Sequence, residues 1–144
     1  MKVLLDTSVL VAAMVEAHPR HAEALPWLQR AKKGEVDACV ASHTLAELYS
    51  VLTTLPVHPR ISPPTAWRLL QENVISTCEV VGLSLQDYRA VLEHLSVAGI
   101  AGGATYDALI AQAGSRAAVD QIVTFNEADF RKVAPDPSTP IVQP

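Results

Sequence analysis

Aromatic residues make up only 5% of the chain. That is too few for a surface that binds single strands by stacking successive bases on exposed rings. Cysteine is nearly absent, with Cys39 and Cys78 far apart and in no metal-like spacing. Two such residues cannot build a disulfide framework, so a reducing, cytoplasmic setting is expected. No uninterrupted apolar run reaches membrane-spanning length. Lys2 and the apolar stretch to Val15 imitate a secretion signal, but Asp6 stands inside the would-be hydrophobic segment. A carboxylate is costly there, so a soluble, unexported protein without membrane contact is expected. Excess positive charge is missing too. The net charge is −4, which does not favour a polyanion partner. Nucleic acid would have to be met by local basic groups, by metal ions, or by both. The basic groups considered are Arg30, Lys32 and Lys33, then Arg60 and Arg68, then Arg116, Arg131 and Lys132; each also reads as an ordinary solvated charge.

What the chain does have is apolar residues, 49% of 144. This is enough to bury one core and too short for two domains of usual size, so residues 1–144 read as one domain with a proline-rich tail from about 135. Lys2–Leu5, Asp37–Ala41, Cys78–Val81 and Gln121–Val123 are short apolar runs suited to buried parallel strands, and Ile141–Val142 adds a candidate edge strand. Helical spacing covers Ser8–Val15, Arg20–Lys33, Thr44–Thr54, Thr65–Asn73, Leu85–Leu95, Ala104–Ser115 (closed around Gly114) and Ala128–Val133. Strands alternating with helices predict a three-layer α/β/α sandwich on a mostly parallel sheet of four to five strands.

Acids recur at the junctions. Asp6 ends the first strand and fits a helix N-cap. Thr44 and Glu47 fit a capping box, as do Thr124 and Glu127. Asp107 lies near a helix start, where the dipole favours negative charge. Each has this ordinary structural reading. Together they have another, because every strand-to-helix junction of a parallel sheet lies on its carboxyl edge, where open α/β proteins keep their ligands. Carboxylates converging there repel, and must protonate or bind cations. Mg²⁺ takes oxygen ligands, keeps several waters and bridges to phosphate oxygens, which points to phosphodiester hydrolysis.

Four segments in order carry a resemblance: LLDTSVLVA at Leu4–Ala12, ASHTLAELYSVLT at Ala41–Thr53, GGATYDALIAQAG at Gly102–Gly114 and IVTFNEADFRKV at Ile122–Val133. The chain resembles the PIN-domain ribonucleases, and among them the VapC toxins of bacterial type II toxin–antitoxin pairs. The resemblance implies a PIN-like fold and a Mg²⁺-dependent endoribonuclease in which Mn²⁺ can substitute. It implies Asp6 and Asp107 as principal metal ligands, with Glu47 as the third acid of the catalytic set. Where many relatives place a fourth acid this chain has Asn126, so that position falls to Asn126 or Asp129. Thr124 resembles the hydroxyl residue that hydrogen-bonds the acidic cluster, and Ser8 is its companion candidate. A cognate antitoxin, a homodimer and a structured RNA substrate such as tRNA or rRNA are implied as well.

Other features point elsewhere less well. His18 and His21, three apart near a helix start, have the spacing of a metal pair but read as surface residues. His43 lies closest to the acidic edge, where RNA contact is the alternative to a loop or cap role. Gly99-x-x-Gly102-Gly103 follows a helix and lacks a lysine, so it is no phosphate-binding fingerprint. Two competing classes remain at this level. One is a non-catalytic PIN-like binding module, suggested by Asn126. The other is an Asp-based phosphohydrolase, which would want an acid where Ser8 stands.

Overall fold

Strands buried on both faces lose the alternation of apolar and polar residues, and the three central strands here are largely of that kind, whereas the edge strand Glu79–Val81 is mostly exposed. The computed structural model describes residues 1–144. It joins Lys2–Leu5 (β1), Asp37–Ala41 (β2), Glu79–Val81 (β3), Gln121–Val123 (β4) and Ile141–Val142 (β5) in one sheet. The order is β3-β2-β1-β4-β5 and every neighbouring pair is parallel. The expected α/β sandwich is therefore present, with the tail supplying the fifth strand.

The helices are Thr7–Met14 (α1), His21–Lys32 (α2), Ser42–Thr54 (α3), Pro63–Leu70 (α4), Leu85–Ala98 (α5), Ala104–Arg116 (α6) and Glu127–Val133 (α7). Successive strand residues point to opposite faces, and this separates two cores. Val3, Leu5, Ala38, Val40 and Val123 pack with Val9, Leu10, Leu28, Leu48 and Leu70 of α1 to α4. Leu4, Cys39, Ala41, Ile122 and Ile141 pack with Ile110 and Phe130 of α6 and α7. Helix α5 lies outside, its Val91 and Leu95 against Ala108, Leu109 and Val133. Each fully buried Leu or Val contributes about 1.5–3 kcal/mol.

Several boundaries differ from the sequence expectation for identifiable reasons. Helix α4 starts at Pro63, capped by Ser62, whose hydroxyl accepts from the Thr65 N–H at 3.3 Å. It runs on into one wide turn of π-helix at Gln71–Ile75. Helix α5 extends to Ala98 and closes on Gly99, whose φ of +69° suits glycine. Gly114, by contrast, ends nothing. It lies inside α6, where a Cβ would meet Val119 Cγ2 at 3.3 Å and Leu4 Cδ2 at 3.6 Å. Its small size seats α6 on the sheet, and the left-handed residue after the helix is Ala118.

Candidate active site

The strand order makes the site possible. From β1 the chain builds outward to β3, then returns to lay β4 on the other side of β1. Loops leaving β1 and β4 therefore diverge, opening a crevice at their carboxyl ends. Asp6 follows β1 and Thr124 follows β4. They meet across the crevice, with Thr124 Oγ1 donating to Asp6 Oδ2 at 2.8 Å.

Asp6 is 2% exposed, and a carboxylate so placed must be hydrogen-bonded. Ser8 Oγ donates to Oδ2 at 2.7 Å and the Ser8 N–H at 3.4 Å. The two hydroxyls themselves accept from backbone: Phe125 N–H reaches Ser8 Oγ at 3.2 Å, and Asn126 N–H reaches Thr124 Oγ1 at 2.9 Å. Backbone dipoles after β4 are thus relayed to one oxygen of Asp6. All three donors end on Oδ2, leaving Oδ1 without a protein donor. Asp6 caps α1 and lines the crevice at once.

Glu47 overturns its structural reading. Strand β2 runs straight into α3, so the helix begins at Ser42 with Ala41 in the cap position and no side-chain cap. Thr44 is then inside the first turn, its buried hydroxyl unpartnered, and Glu47 lies too far along to fold back. Glu47 instead accepts from Thr7 Oγ1 at 3.3 Å and stands 3.4 Å from His43 Nε2, a contact without hydrogen-bond alignment. The His43 ring stacks on Tyr106 at 4.8 Å. Burial holds the Glu47 carboxyl above the ordinary range and the Asp6 charge adds to this, while His43 and Thr7 oppose it.

Asp107 occupies the first turn of α6. Its carboxyl is pushed up to about 6, first by burial and then by the negative charges of Asp6, Asp129 and Glu47. Three acids, from the β1–α1 junction, α3 and α6, therefore share one electrostatic space. They line a cleft of about 400 Å³ together with Thr7, Ser8, His18, Arg20, Phe125 and Asn126. Of the two candidates for the fourth position, Asn126 lines this cleft. Asp129 faces out, 58% exposed and paired with Lys132 at 3.3 Å, though its charge still reaches Asp107. The second capping box is also overturned: α7 has no side-chain cap, and Glu127 pairs with Arg131.

Sequence reasoning missed Thr7, Arg20 and Phe125 as cleft residues and placed His18 at the surface. His18 Nδ1 accepts the Arg20 N–H at 3.1 Å, and His21 Nδ1 lies 2.8 Å from the Ala12 carbonyl, so the His-Pro-Arg-His turn folds onto the site. The spacing of His18 and His21 was visible in the sequence, but it gave no sign of which way their turn folds.

No three acidic, histidine or cysteine side chains form a ready-made ion cage. The donor set nevertheless fits Mg²⁺, which keeps most of its waters and needs only one or two carboxylates. Asp6 Oδ1 is free of protein donors, and Asp107 is crowded by negative charge that a cation would relieve.

A family model for the PIN domain matches residues 3–135. The chain belongs to the PIN-domain family. This PIN domain is 36% identical over 110 residues to Ribonuclease VapC27 of Mycobacterium tuberculosis, across 76% of this chain and 74% of that protein, which places it with the VapC proteins. Solved structures share its fold, two of them as follows. VapBC2 from Rickettsia felis, solved bound to a DNA fragment from its promoter, superposes with a TM-score of 0.68 at 20% identity, covering 99% of this chain and 98% of the other. VapC20 of Mycobacterium tuberculosis, described as a sarcin-ricin loop cleaving toxin, gives 0.69 at 17% identity over 96% and 99%. No helix of this PIN domain is long and apolar enough to cross a membrane.

Proposed function

We propose that this PIN domain is a Mg²⁺-dependent endoribonuclease that hydrolyses RNA phosphodiester bonds in the cytoplasm, as the toxin of a type II toxin–antitoxin pair. The observation that carries the reading is the convergence of Asp6, Glu47 and Asp107 on one cleft at the switch point of the sheet. The ribonuclease relative at 36% identity supports RNA as the substrate class.

Asp6 and Asp107 would hold the ion, with Glu47 as third acid; Mn²⁺ accepts the same oxygens. Mg²⁺ bound there supplies a water of lowered pKa and positive charge beside the phosphate. The chain's own groups do the rest. Ser8 and Thr124 fix the orientation of Asp6, and Thr7 fixes Glu47. Glu47, with its carboxyl held above the ordinary range, is suited to take a proton from the attacking water. Asn126 brings no charge to the fourth side, which favours a single ion in the free protein.

A cognate antitoxin and a second copy of the chain belong to the same reading, with tRNA or rRNA as structured substrates. The test is cleavage of total cellular RNA by the pure protein with Mg²⁺ or Mn²⁺. Cleavage that stops in EDTA and returns with added Mg²⁺ supports the proposal, and cleavage that persists in EDTA overturns it. A short reading frame immediately upstream, whose product silences the cleavage, is the expected antitoxin.

A further inference from the structure

Arg20 is the only lysine or arginine lining the cleft. It sits where α2 begins, and its guanidinium is held on two sides. Nε donates to Glu23 Oε1 at 3.2 Å and Nη2 to Glu23 Oε2 at 2.7 Å. Its Cζ lies over the Phe125 ring, 4.0 Å from the centroid, and Phe125 itself lines the cleft. Nη2 also reaches Gln143 Oε1 at 3.5 Å. A purely structural role accounts for one edge of the guanidinium. It leaves Nη1 with no protein acceptor, and the side chain stays 39% exposed.

The charge balance gives that free edge a use. A chain of net charge −4 with three carboxylates in its cleft repels a nucleic-acid backbone. An ion among the carboxylates answers only for the phosphate it touches; the adjoining phosphates need a fixed cation. Arginine meets phosphate through paired N–H donors, and a guanidinium already fixed in rotation loses little entropy in doing so. We infer that Arg20, steadied by Glu23 and the Phe125 ring, is an RNA-phosphate clamp that positions the strand in the carboxylate cleft. The inference rests on RNA being the substrate, as proposed above.

The test is binding, measured apart from cleavage. Fluorescence anisotropy of a fluorescein-labelled single-stranded oligouridylate is followed against KCl concentration, in EDTA, with every variant built on Asp107→Asn. Arg20→Gln is expected to weaken binding about five- to tenfold. It should also flatten the dependence of log affinity on log salt by about 0.7, the value for one phosphate contact on a single strand. Arg20→Lys keeps the slope, with a smaller loss. Glu23→Gln is expected to tighten binding about two- to threefold, because the amide oxygen still accepts from the guanidinium while a negative charge beside the phosphate is removed. If the arginine served only to pair with Glu23, Glu23→Gln would weaken binding or leave it unchanged. An unchanged slope in Arg20→Gln, a Glu23→Gln that gains nothing, or no RNA binding by the parent overturns the inference. Should Arg20→Gln fail to fold by thermal melt, Arg20→Lys and Glu23→Gln decide it. Lack of Mg²⁺-dependent cleavage by the unaltered protein, with these slopes as expected, removes the nuclease reading and leaves the clamp. Cleavage with unaltered slopes does the reverse.

Discussion

Replacing Asp107 by Asn should stabilise the metal-free protein. The carboxyl rises from the ordinary 3.8 to about 6, so at neutral pH the folded state carries an anion it disfavours. A rise of about two pH units corresponds to about 3 kcal/mol at 1.36 kcal/mol per unit. Asp107 is only partly buried, so solvent screening reduces this to about 1.5 kcal/mol. Losing a negative charge in the first turn of α6 costs back about 0.5 kcal/mol. The net gain is about 1 kcal/mol, or about 3 °C in Tm for a domain of this size. The sign with pH follows from a folded pKa above the unfolded one. Stability from holding the proton is complete below the ordinary value of 3.8 and is lost as pH rises through about 6. The variant and the parent should therefore melt together near pH 3.8 and separate by pH 7. Mg²⁺ should reverse the ranking, raising the parent's Tm more than the variant's. Thermal melts from pH 3.5 to 7.5, with EDTA and then with excess Mg²⁺, measure all of this. An Asn variant less stable than the parent at pH 7 in EDTA would refute the crowding argument and leave Asp107 as a helix-start charge.

Thr124→Val removes the buried hydroxyl that donates to Asp6 and accepts from Asn126 N–H; urea unfolding should show a loss of about 1–3 kcal/mol, and Mg²⁺-dependent cleavage should fall with it. Gly114→Val drives a branched side chain against Val119 and Leu4, and the same assay should show a loss of about 1–3 kcal/mol with cleavage retained per folded molecule. Asp87 forms a capping box with Ser84, and the Ser84 backbone and hydroxyl, then Gln112 and Arg116, hold its carboxyl below the ordinary range. Asp87→Asn should therefore lower stability at neutral pH, and the difference should fade on acidification below 3.8, as the depressed carboxyl protonates.

The site was legible to the extent that topology dictates it. Asp6 and the Thr124 segment each follow an apolar run, and in a parallel sheet such junctions share an edge wherever the chain goes between them. Glu47 was legible as a member and misread in its local role. The capping-box pattern took Thr44 as the helix start, whereas β2 passes into α3 without a loop and shifts that start to Ser42. The choice between Asn126 and Asp129 depended on where α7 begins; starting at Glu127 leaves Asn126 at the crevice and turns Asp129 to solvent. Gly114 was read by its usual habit of ending helices, and only the closeness of α6 to β1 shows it as a packing residue. Arg20 was invisible for a related reason. Its role depends on a turn folding back onto Phe125, more than a hundred residues away, and no local pattern encodes that meeting.

The most direct test of the account is the initial rate of RNA cleavage in Mg²⁺ by the parent, Asp6→Asn and Asp107→Asn, each first shown folded by its melt. Three convergent carboxylates acting as one site predict a loss of at least about 100-fold in both variants. Cleavage at the parental rate in both folded variants would contradict it.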